Sequence, residues 1–421
     1  MSTKPSAPEI LSYSPDPDAD PRTRVYTFGG AAPVRSVRPG TVLELWTEDC
    51  FGGRVRSAAD RVSDVCDFRY INPQTGPFYV EGAEPGDTLA VHFISIEPSR
   101  DWAVSSTVPL FGALTGTLTT ATLQAPLEER TWLYEVDRAA REVVFQAQDT
   151  PYRVPMPLDP MHGTVGVAPA LGEVRSSLAP GAHGGNMDTP EMRAGVTCYL
   201  GVNVEGALFS LGDGHCRQGE GETCGVAVEA AMDTVVVIDL LKGVPCAWPR
   251  LESDDAIMTT GSARPLQDAF RVAQSELVHW VAAETGMSVL DSYQLVSQGV
   301  RNPVANVVDT TYTMVAKLSK SLLPGVEPLH GTHRRLRALA GRTPPSSRTV
   351  GRGHMRAHRV RCRQTGPAPA EEDPHDHAHR RTPRGAHRDR AHAGEAGQGA
   401  GPARGAGNPG RLARAGGRLR R

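Results

Sequence analysis

The sequence predicts a mainly β protein, a sandwich or barrel, with a small α/β element at the C-terminal end of its body. Three observations carry this. Pro39-Gly40 and Pro85-Gly86 each feed an alternating run, TVLELWT and DTLAVHFISIE. The 421 residues include 44 glycines and 34 prolines, enough to break most of the chain into short segments. Hydrophobic content is 39% but aromatic content only 5%, so the core must be built from Val, Leu and Ala.

Taken in order, residues 1–24 are rich in Pro, Ser and Asp and read as an arm. The body follows over 25–340. Period two places Leu43 and Leu45 on one face of a first strand, and Leu89, Val91 and Phe93 on one face of a second. Residues 196–211 (VTCYLGVNVEGALFSL) and 234–241 (TVVVIDLL) also read as strands. A helical element is expected over 263–300. Leu266, Ala269, Phe270, Ala273, Leu277, Trp280 and Val281 share one stripe, Pro265 opens the first turn and Gly286 follows the end. Ser288 and Asp291 form a capping signal for a shorter helix stopping near Gly299. Alternation through Tyr312, Met314, Ala316 and Leu318 then returns to strand.

The net charge of −2 conceals two unlike segments. Residues 341–421 carry 18 Arg against 6 acids, and 1–340 carry a net of −14. The 341–421 segment has no Phe, Trp or Tyr and reads as a disordered Arg/Gly/Ala/Pro/His-rich tail, unable to offset chain entropy by burial. Its composition is what a shifted reading frame in a GC-rich gene would give. The alternative is a nonspecific, salt-sensitive nucleic-acid contact, which the lack of aromatics disfavours. No run of 18 apolar residues suggests a membrane span, and the N-terminus lacks a basic-then-apolar secretory pattern. Seven cysteines without C-x-x-C spacing fit a reducing, cytoplasmic setting.

Chemistry concentrates in two glycine-rich stretches, His183-Gly-Gly-Asn-Met-Asp188 and Phe209–Glu229, FSLGDGHCRQGEGETCGVAVE. In extended backbone, residues two apart project to one side, which pairs Asp213 with His215, Asn186 with Asp188 and Glu220 with Glu222. Such pairs could hold a divalent ion, zinc for mixed O/N ligands or a harder ion where carboxylates dominate. Asp and Asn beside glycine also cap turns, and that reading stays open. Cys216 and Cys224 suggest a thiolate nucleophile, with simple burial as the alternative. Gly219-Glu220-Gly221 lacks the Lys-Ser/Thr ending of a phosphate loop, and there is no G-x-S-x-G elbow.

These stretches, with TEDCFGG at 47–53, TGPFYVEGAEPGDTLAV at 75–91 and PMHGTVGVAP at 160–169, resemble the acetamidase/formamidase family, in its shorter, acetamidase-like members. The resemblance runs from about residue 25 to about 340 and leaves out the tail. It implies a jelly-roll-like β fold, a homo-oligomer (dimer or trimer) and hydrolysis of short linear amides such as acetamide and formamide. It implies a divalent metal, zinc first, with calcium or magnesium as further options. Carried over residue by residue, His183, Asp188, Asp213, His215 and Asp49 become metal ligands. Glu222 becomes the general base with Glu229 second, and Gln218 or Asn186 donates to the developing oxyanion. Cys216 stands in place of a small residue and is an unlikely catalyst. His162 stands in place of an aliphatic residue, with an expected effect on substrate fit. The competing class is a non-enzymatic β-sandwich that binds a small ligand through a structural metal.

Overall fold

Alternation sorts the apolar residues of the central strands onto two faces. In the strand Val42–Thr47, Leu43 and Leu45 enter one core and Val42 enters another. In Met232–Leu241, Val236 and Ile238 join the first core while Val235 and Val237 join the second. A strand that is apolar on both faces must be covered on both. The computed structural model, which describes residues 8–115, 123 and 125–343, shows how.

Nine strands form one sheet among the described residues. Its order is Ile10–Tyr13, Val42–Thr47, Met232–Leu241, Thr88–Pro98, Thr197–Gly201, Arg250–Glu252, Ala256–Ala263, Tyr312–Ser319 and Val304–Asn306. A second sheet of ten strands is centred on Phe209–Arg217, which pairs with Met161–Gly166, Gln74–Val80 and Val228–Glu229. Between the sheets, Leu43, Phe78, Phe93, Val165, Phe209 and Leu211 make the main core. This is the expected mainly β sandwich.

Helices cover the outer face of the nine-stranded sheet. Leu266–Thr285 buries Ala269, and packs Ala273, Leu277, Trp280 and Val281 in one cluster with Ile257, Ala316 and Leu318. It ends at Gly286, whose φ of 73° is the left-handed conformation that glycine adopts without Cβ strain. Phe270 departs from the expected stripe and is 40% exposed. The second helix, Val289–Gly299, is capped as its sequence predicts: Ser288 Oγ accepts from the Asp291 amide at 3.1 Å. A third helix, Pro328–Ala340, adds Leu329 and Leu336 to the same layer.

The segment read as an arm is tied down where it is described, because Ile10–Tyr13 pairs in parallel with Val42–Thr47. The expected tail lies, beyond residue 343, outside the described residues. No helix among the described residues is long and apolar enough to cross a membrane.

Candidate functional site

The strand Phe209–Arg217 carries Asp213 and His215, and its neighbours bring the rest. His215 lies directly opposite Glu229 on one side. On the other side runs Met161–Gly166, and the Asp188 amide donates to the Gly163 carbonyl at 3.1 Å. Gln218 and Glu222 follow in the turn after the strand, and Asn306 and Asp309 arrive from the distant edge of the nine-stranded sheet. Ligand atoms of Asp188, His215 and Glu222 lie within 4.8 Å of one another, as do those of Cys50, Asp213 and Glu229.

Backbone strain accompanies this convergence. Asp188, Asp213, Glu222 and Asn72 have φ values of 45°, 58°, 47° and 60°. Non-glycine residues reach this left-handed region at a cost of order 1–3 kcal/mol each, and such residues gather at functional sites. Glycine supplies the room: a Cβ on Gly163 would stand 2.6 Å from Asp213 Oδ2, 2.9 Å from His215 Cε1 and closer still to Asp188 Oδ1.

His215 is held by Gln218. Both donors of the Gln218 amide go to backbone carbonyls, those of Asp188 and Ala305, so its Oε1 accepts from His215 Nδ1 at 3.0 Å. Nδ1 therefore carries a proton in either charge state of the ring, and Nε2 faces the acids. Nε2 lies 3.4 Å from Asp213 Oδ1 and 3.3 Å from Glu229 Oε2, and hydrogen-bonds to neither. Asp188 Oδ1 and Glu229 Oε2 are likewise buried without a partner. Their remaining oxygens are occupied: Asp188 Oδ2 accepts from Asn306, and Glu229 Oε1 from the Ala227 amide at 2.9 Å.

Burial holds Asp188 and Glu222 well above the usual carboxylate range, and the negative neighbours add to it. Glu229 is raised by burial too, with His215 opposing. Asp309, bonded to Asn186 and Asn306, is pushed by burial up to about 7. Burial would also raise Asp213, but the charge of His215 beside it and the Thr164 hydroxyl hold it below its ordinary value. His215 itself is driven well above 6.5 by Glu229 and Asp213, against the effect of burial.

Packing this many buried acids around orphaned lone pairs is unfavourable unless cations or protons are present. The donor set, one imidazole nitrogen among carboxylate oxygens and a thiol, fits a divalent cation.

Other expected site residues are placed differently. His183 does not join the cluster. Gly184 and Gly185, with φ of 90° and 86°, turn the chain there, and the His183 ring packs 5.2 Å from Phe28. Burial and Arg175 lower its pKa to about 4. Asp49 is spent on a turn and an ion pair, accepting from the Phe51 and Gly53 amides and from Arg100 Nη1 at 2.9 Å. Asn186 accepts from Thr164 and Asn72 and donates to Asp309, whereas both Gln218 donors are taken, so Gln218 is not a ready oxyanion donor. Glu220 is exposed. Cys216 is wholly buried in the core, with burial pushing its thiol up to about 12, and the exposed Cys224 bonds the Val226 carbonyl.

His162 turns away from the acids towards Phe93 and bonds the Gly212 carbonyl at 2.8 Å and Thr234 Oγ1 at 2.7 Å. Burial lowers its pKa to about 4, so it is a neutral core residue. His162→Leu should cost about 1–3 kcal/mol by stranding those two buried groups. Denaturant unfolding measures this, and an unchanged midpoint would refute it. The residues missed in the sequence are Asn72, Gly163, Thr164, Asn306, Asp309 and Cys50. Gly163, Thr164 and Cys50 sat inside the quoted motifs, whereas Asn306 and Asp309 carried no local signal.

A family model described as the Acetamidase/Formamidase family matches residues 30–174 and 170–315, which include every member of the cluster. The chain belongs to this family. Among solved structures similar to this acetamidase/formamidase-family chain is an acetamidase from Yersinia enterocolitica, 36% identical with a TM-score of 0.70, covering 76% of this chain and 94% of its own. An acetamidase from Bacillus halodurans is 29% identical at 0.65, covering 74% and 98%. Curated relatives include the acetamidase of Mycolicibacterium smegmatis, 26% identical over 49% of this chain and 63% of its own length. The formamidase of Methylophilus methylotrophus is 26% identical over 50% and 61%. The matches thus span about three fifths of the curated relatives' length.

Proposed function

We propose that this chain hydrolyses short linear amides, formamide and acetamide, to a carboxylate and ammonia, and that the reaction depends on a divalent cation, zinc first. The observation that carries the reading is the set of buried, unpartnered ligand atoms on Asp188, His215 and Glu229, in a family whose named members are acetamidases and formamidases. A homo-oligomer in the cytoplasm belongs to the same reading.

A divalent cation, when bound, supplies Lewis acidity to an amide carbonyl that resonance makes a poor electrophile, and acidifies the attacking water. The chain's own residues do the rest. Asp188 and His215 are the holding residues, with His215 oriented by Gln218. Glu222 is assigned as the general base: it is 8% exposed, against 0% to 4% for Asp188, Asp213, His215 and Glu229. No hydrogen bond among the described residues ties its carboxylate down. It takes the water's proton and returns it to the departing nitrogen, so that ammonia leaves neutral.

Purified protein should release ammonia from formamide or acetamide, and chelation should abolish the release. Glu222→Gln should lower turnover about 100-fold or more with cation content unchanged. Full activity in that variant would remove Glu222 as the base. Release that survives complete chelation would end the cation dependence.

A further inference from the structure

The cluster contains more ligand atoms than one cation can use, and they fall into two groups. His215 Nε2 has a single lone pair, so it serves one ion. With Asp188 it forms a first seat, whose ion would stand beside the Glu222 base, since ligand atoms of all three residues lie within 4.8 Å of one another. Cys50 Sγ then faces Asp213 and Glu229, with ligand atoms again within 4.8 Å of one another. Bonds of about 2.0–2.3 Å to oxygen and sulfur allow three such atoms to share one ion. Glu229 Oε2 is buried there without a hydrogen-bond partner. The seats touch, because His215 Nε2 is 3.4 Å from Asp213 Oδ1 and 3.3 Å from Glu229 Oε2.

Charge points the same way. Asp188, Asp213, Glu222 and Glu229 are all buried, and ionised they would place −4 in one small volume. A single divalent cation cancels half of that, and a pair balances all four carboxylates, leaving one negative charge where Cys50 also ligates as a thiolate. A methyl group on Gly163 would meet both Asp188 and Asp213, one carboxylate from each group, so glycine there leaves both oxygens room to meet a cation.

We propose that the site takes two adjacent divalent cations, the second held by Cys50, Asp213 and Glu229, with the Cys50 thiolate as a direct ligand. This rests on the cation reading given above. A thiolate selects zinc over magnesium or calcium at this seat. Binding there releases the thiol proton to solvent and forms one metal–sulfur bond, with no change of oxidation state.

The test uses full-length protein. Elemental analysis should find two zinc ions per chain, falling to one in Cys50→Ser and staying at two in Cys216→Ser. Cobalt-loaded wild type should show thiolate-to-cobalt charge transfer in the near ultraviolet, lost in Cys50→Ser. The wild-type spectrum needs no variant, so a folding defect in Cys50→Ser cannot hide the result. One ion per chain in wild type, or cobalt spectra without the sulfur band, overturns the second seat. If such a protein still hydrolyses amides in a chelator-sensitive way, the single-cation reading survives. Two cysteine-dependent ions in a protein inactive on amides would support the seat and sink the amide reading.

Discussion

Gly163→Ala is expected to lower kcat/KM for formamide and acetamide by about 10³-fold or more while the protein remains folded. The added methyl would stand 2.6 Å from Asp213 Oδ2 and nearer still to Asp188 Oδ1. Neither carboxylate can give way freely. Asp188 Oδ2 is held by Asn306 and Asp213 Oδ2 by Thr164, and both residues already have left-handed backbone. Displacing ligand atoms by about 1 Å costs roughly 10²-fold when geometry alone is lost. Here the same shift separates atoms that belong to both ligand groups, so cation content should fall with activity. The Gly163 backbone remains extended and pairs through its neighbours His162 and Thr164, which is why the sheet should survive. Steady-state kinetics, elemental analysis and thermal unfolding on one preparation check all three parts. A folded variant with wild-type activity would show that these carboxylates are not where the chemistry occurs.

That prediction could not have come from sequence alone, and the reason is physical. Asp213 and His215 were legible because the apolar run before them signalled their strand, although the left-handed φ of 58° at Asp213 departs from the extended backbone that strand periodicity assumes. The helix Leu266–Thr285 was legible for the same kind of reason, a local period closed by Gly286. His183 looked equivalent to Asp188 on spacing, but two left-handed glycines between them break the periodicity on which spacing arguments rest. Asp49 is paired with Arg100, 51 positions away, a contact that no local pattern marks. Asn306 ends a strand of the other sheet and Asp309 lies in the loop after it, and nothing in their neighbourhood marks them. What sequence withheld was consistently the product of long-range pairing.

The second large effect concerns stability. Chelated protein should become less stable as pH rises from 6.5 to 8, whereas cation-loaded protein should not. Asp188, Glu222 and Glu229 have folded pKa values above their unfolded ones, and Asp309 is raised to about 7. Unfolded carboxylates titrate near about 4. A raised acid binds its proton more tightly in the folded state, so its contribution is full below the unfolded pKa and is lost as pH rises through the folded one. His215, also raised, acts in the same direction. His92, His162 and His183 act oppositely, with folded values of about 4 below the ordinary 6.5. Their contribution is complete only above 6.5 and fades as pH falls towards 4, so they oppose the trend at the lower end of the window and little above it, while Glu48, also raised by burial to about 7, adds to the trend of the cluster. Each additional proton held by the folded state changes stability by about 1.4 kcal/mol per pH unit. Cations replace those protons and bind the ionised acids, so the difference between loaded and chelated protein should widen with pH. Calorimetric Tm values at pH 6.5, 7.25 and 8 for both forms measure it. A chelated Tm that stays level or climbs across the window would mean the buried acids are not uncompensated in the folded protein, and the case for cations between them would go with it.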